Sequence, residues 1–319
     1  MEVRCLTGME KGVHMSPSLH DFVSTRQIGK AELSLILEGV GPYPVDLNVP
    51  RQVWRPDIPE ADADGNISLC SSGAVLRLDD AVIVIDPGLD DPGTATSRAI
   101  EEVFRGWLFS PGFQAGLATL GIANEAVTSV VITHAHFDHC LGVAVERDGV
   151  LLPRFPNARH LLDHADWNLH FTADGDQRPL AQSPFAEVTR AMRERLLVVM
   201  RAGLLDLITD VHEVVPGVTT IPTPGETPGH RAVRIASDGT VCWHLGDLAH
   251  YAVEFRHLDW ITPARRDATA MRESRERVLP RLVAEDAIVT WSHASFPGWG
   301  RIIPENGGYR WQPFDLSII

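Results

Sequence analysis

The chain has 319 residues, 44% of them hydrophobic, with 28 Lys plus Arg against 42 Asp plus Glu and a formal net charge of −14. These proportions exclude a disordered, collagen-like or coiled-coil chain and leave apolar material for a sizeable core. So acidic a balance disfavours phosphate backbones and anionic lipid, and no apolar run reaches membrane-spanning length, so neither nucleic acid nor membrane is expected as a partner.

Residues 1–30 show no clear period and are expected as an N-terminal arm or cap, with 31–319 as one domain. The first residues lack the continuous apolar stretch of a secretory leader, which points to the cytoplasm. Alternation around Leu33, Leu35 and Leu37 predicts a first strand. Residues 41–64 carry five prolines and read as an irregular surface segment. Residues 66–70 and 74–78 read as strand, and after the turn Asp79-Asp80 a further strand, 81–86, ends in Asp86-Pro87-Gly88. Helices are expected over 94–108 and from 112 to 120. Val130-Val131-Ile132 is a short apolar strand. Residues 161–170 are ambiguous between helix and strand. A long helix follows over 185–205, then strand over 211–221. A hairpin crosses Asp238-Gly239 between 231–236 and 240–244. A helix over 267–283 and a strand over 286–291 complete the order. Strands and helices alternate in both halves, which suits two sheets packed face to face with helices outside.

The 132–140 region carries the chemistry. His134-x-His136-x-Asp138-His139 packs four ligand-type side chains into six residues directly after an apolar strand. Side chains at i and i+2 of an extended chain point the same way, so His134 and His136 can reach one metal ion. A turn then brings Asp138 and His139 to the same cavity. Four such donors exceed what one tetrahedral ion takes from so short a loop, so two neighbouring ions are the natural solution. Three more candidates, His230, Asp247 and His293, each follow an apparent strand and a chain-breaking residue. Singly, each has an equally good bland reading: a turn hydrogen bonder, a helix cap, a satisfied core histidine. The repeated layout argues against coincidence.

The motif Thr133-His134-x-His136-x-Asp138-His139, with His230, Asp247, His293 and Asp86-Pro87-Gly88, resembles the metallo-β-lactamase superfamily over roughly Ile67 to Phe314. The resemblance implies an α/β fold, an αβ/βα four-layer sandwich, with the metals at one edge between two sheets. It implies that His134, His136 and His230 hold one ion, that Asp138, His139 and His293 hold the second, and that Asp247 bridges them. Where many hydrolase relatives have Gly-His-Thr-Pro-Gly-His, this chain has Gly225-Glu226-Thr227-Pro228-Gly229-His230, which makes the surroundings more acidic. Gly246-Asp247-Leu248-Ala249-His250 and the stretch His293 to Gly300 are similar to the methyl parathion hydrolase and broad-specificity lactonase branch. Lactones, aryl esters and phosphotriesters all remain open as substrates.

The implied reaction is hydrolysis by a metal-bridging hydroxide, with two divalent ions lowering the pKa of water toward about 7. Zinc is the default, and all-N/O ligands also admit Mn, Fe or Co. Asp138 or Asp247 is expected to relay the proton, and His250 either donates to a substrate oxygen or only orients a neighbour. Phe296 and Trp299 are expected as an apolar pocket wall, favouring a small neutral ester. Cys140 is read as a small buried residue, and His160, His164 and His170 as pocket-lining or surface residues. Arg265 and Arg266 are read as solvated charges beside a helix. Free thiols are expected at the four scattered cysteines, since no CxxC pair occurs. A phosphotriesterase, a glyoxalase II-type thioesterase and a non-catalytic metal-binding protein are the competing readings, and a homodimer stays open.

Overall fold

The computed structural model describes residues 22–172, 183–263 and 266–314. One sheet comprises β1 (Val23–Ile28), β2 (Ala31–Pro44), β3 (Asn66–Leu78), β4 (Ala81–Ile85), β5 (Leu108–Phe109), β6 (Ser129–Val131) and, beyond a separate hairpin of β7 (Ala144–Arg147) and β8 (Val150–Pro153), β9 (Arg159–Asp163) and β10 (Leu205–Ile208). Its order is β1-β2-β3-β4-β6-β9-β10, with β5 on β2. From β4 onward the neighbours run parallel. The second sheet runs β11 (His212–Val215), β12 (Val218–Pro222), β13 (Arg231–Ser237), β14 (Thr240–His244), β15 (Ile288–Thr290), β16 (Gly300–Glu305), β17 (Gly308–Pro313) in spatial order. Only β14 and β15 pair in parallel there.

Seven α-helices flank the sheets: α1 (Arg51–Trp54), α2 (Ala95–Val103), α3 (Phe113–Thr119), α4 (Phe137–Cys140), α5 (His164–Phe171), α6 (Ala186–Arg201) and α7 (Ala268–Ala284), counted among the described residues. Their starts are chemically marked. Thr94 accepts from the Ser97 amide ahead of α2, Asp163 from Ala165 ahead of α5, and Asp267 from Thr269 and Ala270 ahead of α7.

The period-two alternation of the strands sorts the core into layers. Leu33, Leu35, Leu76, Ile83, Ile85 and Val131 face Val233, Ile235 and Cys242 across the gap between the sheets. Ile36, Val75, Val84 and Val130 face the other way, onto Ile100, Phe113, Met192 and Leu196 of the helices. Outside the second sheet, Ala232, Trp243 and Val289 pack on Met271, Val278, Leu279 and Leu282 of α7. The result is helix, sheet, sheet, helix, the expected four-layer sandwich. Each buried Leu, Ile or Val contributes roughly 1.5–3 kcal/mol, so these layers outweigh the helices' own propensities.

Several local expectations shift. Residues 41–64 are not merely surface: Leu47, Trp54, Ile58 and Ala61 pack with Leu69, Tyr251 and Trp260 in a cluster of their own. The two short strands read before Asp79 are one, β3. Gly73 lies at the close crossing, where a Cβ would stand 2.1 Å from the Asp86 carbonyl. Residues 161–170 divide into the end of β9 and α5, and 211–221 into β11 and β12. The hairpins β7–β8 and β16–β17 were not anticipated. The N-terminal segment contributes β1, whose Ile28 is in the inter-sheet core, while residues 1–21 lie outside the described residues. Cys70, Cys140 and Cys242 are free and buried, and Cys5 lies outside the described residues. Among the described residues no helix is long and apolar enough to cross a membrane.

Candidate metal centre

The site gathers where strands give out along one edge of both sheets, the usual place for ligands beyond the carboxyl ends of parallel strands. β4 ends at Asp86, which turns the chain with φ of 53°. β6 continues through buried Ile132 and Thr133 into His134. The extended backbone persists to His136, where α4 begins and swings Asp138 and His139 round. β14 delivers Asp247 after Gly246, whose φ of 56° bends the strand away. β15 leads into His293, and the turn 223–230 precedes β13. Backbone bonds lock these ends together: Arg231 N–H donates to Thr133 at 2.8 Å, and Leu245 N–H to Thr290 at 2.8 Å.

Asp247 is the hub. Its Oδ2 lies 3.1 Å from His293 Nε2, 3.2 Å from His250 Nε2, 3.4 Å from His139 Nε2 and 3.7 Å from His134 Nε2. Asp138 Oδ2 stands 3.7 Å from His139 Nε2 and 3.8 Å from His293 Nε2. His136 Nδ1 is 2.9 Å from His134 Nε2 and 3.2 Å from Glu226 Oε1. Three sets of donors each fall within 4.8 Å of one another: His134, His136, Glu226 and Asp247; Asp138, His139 and His293; Asp247, His250 and His293. Six of the seven expected ligands are thus in these sets. His230 is beside them but in none. Its Nε2 accepts the backbone N–H of Asp247 at 2.9 Å.

Hydrogen bonds on the far side of each ring decide which nitrogen faces inward. His139 Nδ1 donates to Asp86 Oδ2 at 2.9 Å, and His293 Nδ1 to the Cys70 carbonyl at 2.8 Å. Thr133 spends its hydroxyl proton on Asp86 at 2.7 Å, so His134 Nδ1 donates to the Thr133 oxygen at 3.1 Å. Each ring therefore turns its Nε2 toward the cavity, the arrangement that orients metal-binding histidines. One carboxylate, Asp86, aims two rings.

Charge follows the same plan. Burial alone would raise the Asp247 carboxyl, but the imidazoles of His293, His139 and His250 hold it well below the usual range. Burial opposes charge on His293 too, yet Asp247 and Asp138 lift it to about 9. For His134 and His230 burial prevails; His230 falls to about 4 and His134 well below its ordinary value. Anion and protonated rings therefore share a pocket that a cation could fill. Asp247 Oδ1, His139 Nε2 and Glu226 Oε1 are buried with no hydrogen-bond partner. Such atoms cost about 1–3 kcal/mol each unless something satisfies them. An N/O donor set with three orphaned atoms pointing inward fits divalent metal ions.

The remaining expectations fare unevenly. His250 reaches the hub and stacks on His293, with centroids 5.0 Å apart. Cys140 is fully buried, its Sγ directed at the His136 carbonyl. Trp299 is not a pocket wall: it is 2% exposed in the inter-sheet core, and its Nε1 donates to Ser24. Phe296 packs half-buried against that same core. Trp299 lies just before β16, and its indole turns inward onto Ser24 of β1. His160 is buried beside Phe155, whereas His164 opens α5 at the surface. Arg265 lies outside the described residues. Arg266 is not a solvated charge: it turns inward to pair with Glu226, and its Nη2 is 3.1 Å from His250 Nε2. Two further residues were not among the expected site residues. Glu226 is 1% exposed in the centre. Asp166, fully buried on α5, accepts from the Ala135 and Gly229 amides at 2.6 and 2.7 Å and from the Thr227 hydroxyl at 2.9 Å. The Gly-Glu departure was visible in the chain, but nothing in sequence marks Asp166.

A four-layer sandwich with a histidine–aspartate centre at one edge defines a class of proteins. The sequence model of the metallo-beta-lactamase superfamily matches residues 70–293, a span that holds every expected ligand, and the chain belongs to that superfamily. Its fold is similar to that of AbOPH, a hydrolase of the β-lactamase superfamily (TM-score 0.74, 20% identity, 92% of this chain and 98% of that one). It is equally similar to AidC, a dizinc quorum-quenching lactonase solved with the product N-hexanoyl-L-homoserine (TM-score 0.74, 18% identity, 92% and 98%). A probable metal-dependent hydrolase from Staphylococcus aureus follows (TM-score 0.70, 18% identity, 91% and 100%). Identities this low speak for the fold. Comparison with curated proteins yields no match.

Proposed function

We propose that this chain is a dinuclear metal-dependent hydrolase of lactones or other neutral esters. The observation that carries the reading is the convergence of four imidazole nitrogens on one buried carboxylate oxygen, Asp247 Oδ2, within 3.1–3.7 Å. Asp138, His139, His293 and Asp247 would hold one ion; His134, His136, Asp247 and a donor from the turn 223–230 would hold the other. The ions, when bound, supply Lewis acidity and a water-derived nucleophile at neutral pH.

The chain's own groups do the rest. Asp86 and Thr133 keep the ligand rings aimed, so little reorganisation is needed when charge develops. Asp138 is the most open of the carboxylates, its side chain 19% exposed, and takes the proton of the attacking water. His250, whose Nε2 accepts from Arg266 and faces Asp247, orients the groups beside the substrate oxygen. The neutral-ester reading draws support from the kinship of fold with a lactonase solved with its acyl-homoserine product. The apolar wall expected from Trp299 no longer contributes to it.

The test is kcat/KM across lactones, aryl esters, phosphotriesters, anionic phosphodiesters and β-lactams. Lactones or aryl esters should lead, with phosphotriesters slower. A clear preference for a phosphodiester or a β-lactam would overturn the assignment.

A further inference from the structure

Ester cleavage needs a proton for the leaving oxygen as well as an acceptor for the proton of water. Asp138 is the acceptor, and His250 Nε2 itself accepts from Arg266. We propose that the phenol of Tyr43, near the end of β2, is the general acid that protonates the leaving oxygen. The inference rests on the ester-hydrolase reading above and adds a catalytic residue to it.

Tyr43 pairs with Ile67 across β2 and β3, and contacts on two sides fix where it lies. The carbonyl of its neighbour Pro44 accepts Tyr251 Oη at 3.1 Å, and Tyr251 directly follows His250. On the other side the Tyr43 ring stacks on Phe104, with centroids 6.4 Å apart and planes 27° from parallel. Phe104 in turn is 6.1 Å from Phe137, the residue before Asp138. Tyr43 therefore stands between the loop that carries His250 and the helix α4 that carries Asp138. The charges of Arg266, Asp138 and Glu226, with that of Asp46, bear on its hydroxyl, so the oxygen is on the side of the ring toward the centre. Among the described residues this hydroxyl makes no hydrogen bond, whereas that of Tyr251 is spent on Pro44. The ring is half-buried against the cluster of Leu47, Trp54 and Trp260. Burial holds the phenol above its ordinary value, so it keeps its proton at neutral pH.

The step balances. The water oxygen bonds to the acyl carbon while Asp138 takes one of its protons. The bond from that carbon to the leaving oxygen breaks, its electron pair stays on the oxygen, and the Tyr43 proton neutralises it as an alcohol. The phenolate recovers a proton from Asp138 through solvent, which restores both groups. A phenol with a pKa of about 10 protonates an aliphatic alkoxide downhill, since such an oxygen is about as basic as hydroxide, whose parent water has a pKa of about 15.7. A nitrophenolate is a far weaker base and leaves with little help from an acid.

The test compares kcat and KM of metal-loaded wild type and Tyr43→Phe on an aliphatic lactone and on a 4-nitrophenyl ester, alongside metal content and Tm. Phe keeps the ring and its stacking and removes only the oxygen. On the lactone, kcat should fall about 10²-fold or more while KM moves by less than about threefold. On the 4-nitrophenyl ester the loss should be at least about tenfold smaller. Metal content and Tm should match wild type. Across phenyl esters of rising leaving-group pKa, log kcat should fall more steeply for Tyr43→Phe than for wild type. Equal losses on the two substrates, an undiminished lactone rate, parallel slopes, or a loss of bound metal would overturn the proposal. A wild type inert toward every ester would defeat the hydrolase reading and this proposal with it, an outcome distinct from an active wild type that Tyr43→Phe equals.

Discussion

Asp166 ties together the two loops that carry the candidate ligands. Its carboxylate collects the Ala135 amide between His134 and His136, and the Thr227 hydroxyl and Gly229 amide beside Glu226 and His230. Three donors meet a group that only accepts, so a side-chain amide there would turn one N–H toward another. Asp166→Asn should therefore loosen both ligand loops and lower metal affinity by roughly 10–100-fold, the range typical of lost outer hydrogen bonds. Titration with a competing chelator measures it, and unchanged affinity would refute the role. His160 yields a different prediction. Burial pushes its folded-state pKa down to about 4, whereas an unfolded imidazole titrates near 6.5. Between those values the unfolded chain binds more protons, so stability falls as pH drops from about 6.5 toward 4. The loss approaches about 3 kcal/mol below that window. Replacing His160 with Leu should flatten this stretch of the pH–stability curve, measured by urea unfolding. At this scale the motif histidines and Asp247 were legible because each follows an apolar strand. Asp166, Arg266 and the inward turn of Glu226 were not, because only tertiary approach of distant loops gives them partners.

At the scale of elements, α7 is fastened to the site by a buried ion pair. Arg275 donates to the carbonyls of Leu248 and Trp260 and pairs with Glu254, both side chains at most 1% exposed. Glu254 in turn accepts the amides of His250 and Tyr251 at 2.6 and 2.7 Å. The loop that carries Asp247 and His250 is therefore clamped from its own following segment and from α7. Arg275→Met would strand a buried carboxylate and should cost about 3–5 kcal/mol, seen as a fall in Tm and in the urea midpoint. A cost under about 1 kcal/mol would show that the clamp is ornamental. Strands and helices with strong periodicity, such as β13, β14 and α7, could be read from the chain. The β7–β8 and β16–β17 hairpins could have been. Asp148-Gly149 and Asn306-Gly307, all at positive φ, are the turn pairs that make tight hairpins. The 41–64 segment could not, since its prolines hide apolar residues that find cover on Leu69 and on the distant Tyr251 and Trp260.

Across the whole molecule, the two sheets serve as a frame whose shared edge brings together residues 86, 134–139, 247 and 293. The face-to-face packing was foreseeable from alternating apolar strands. Which face Trp299 takes was not, because it depends on how the chain enters β16 between β15 and β17 of the second sheet. Two cations held at this edge would share Asp247. The metal content of purified wild type and Asp247→Ala, grown in metal-supplemented medium and read by elemental analysis, tests it most directly. About two transition-metal ions per wild-type chain, falling sharply in Asp247→Ala, is the predicted result. A reproducible value near zero in the wild type, or full metal content without Asp247, would contradict it.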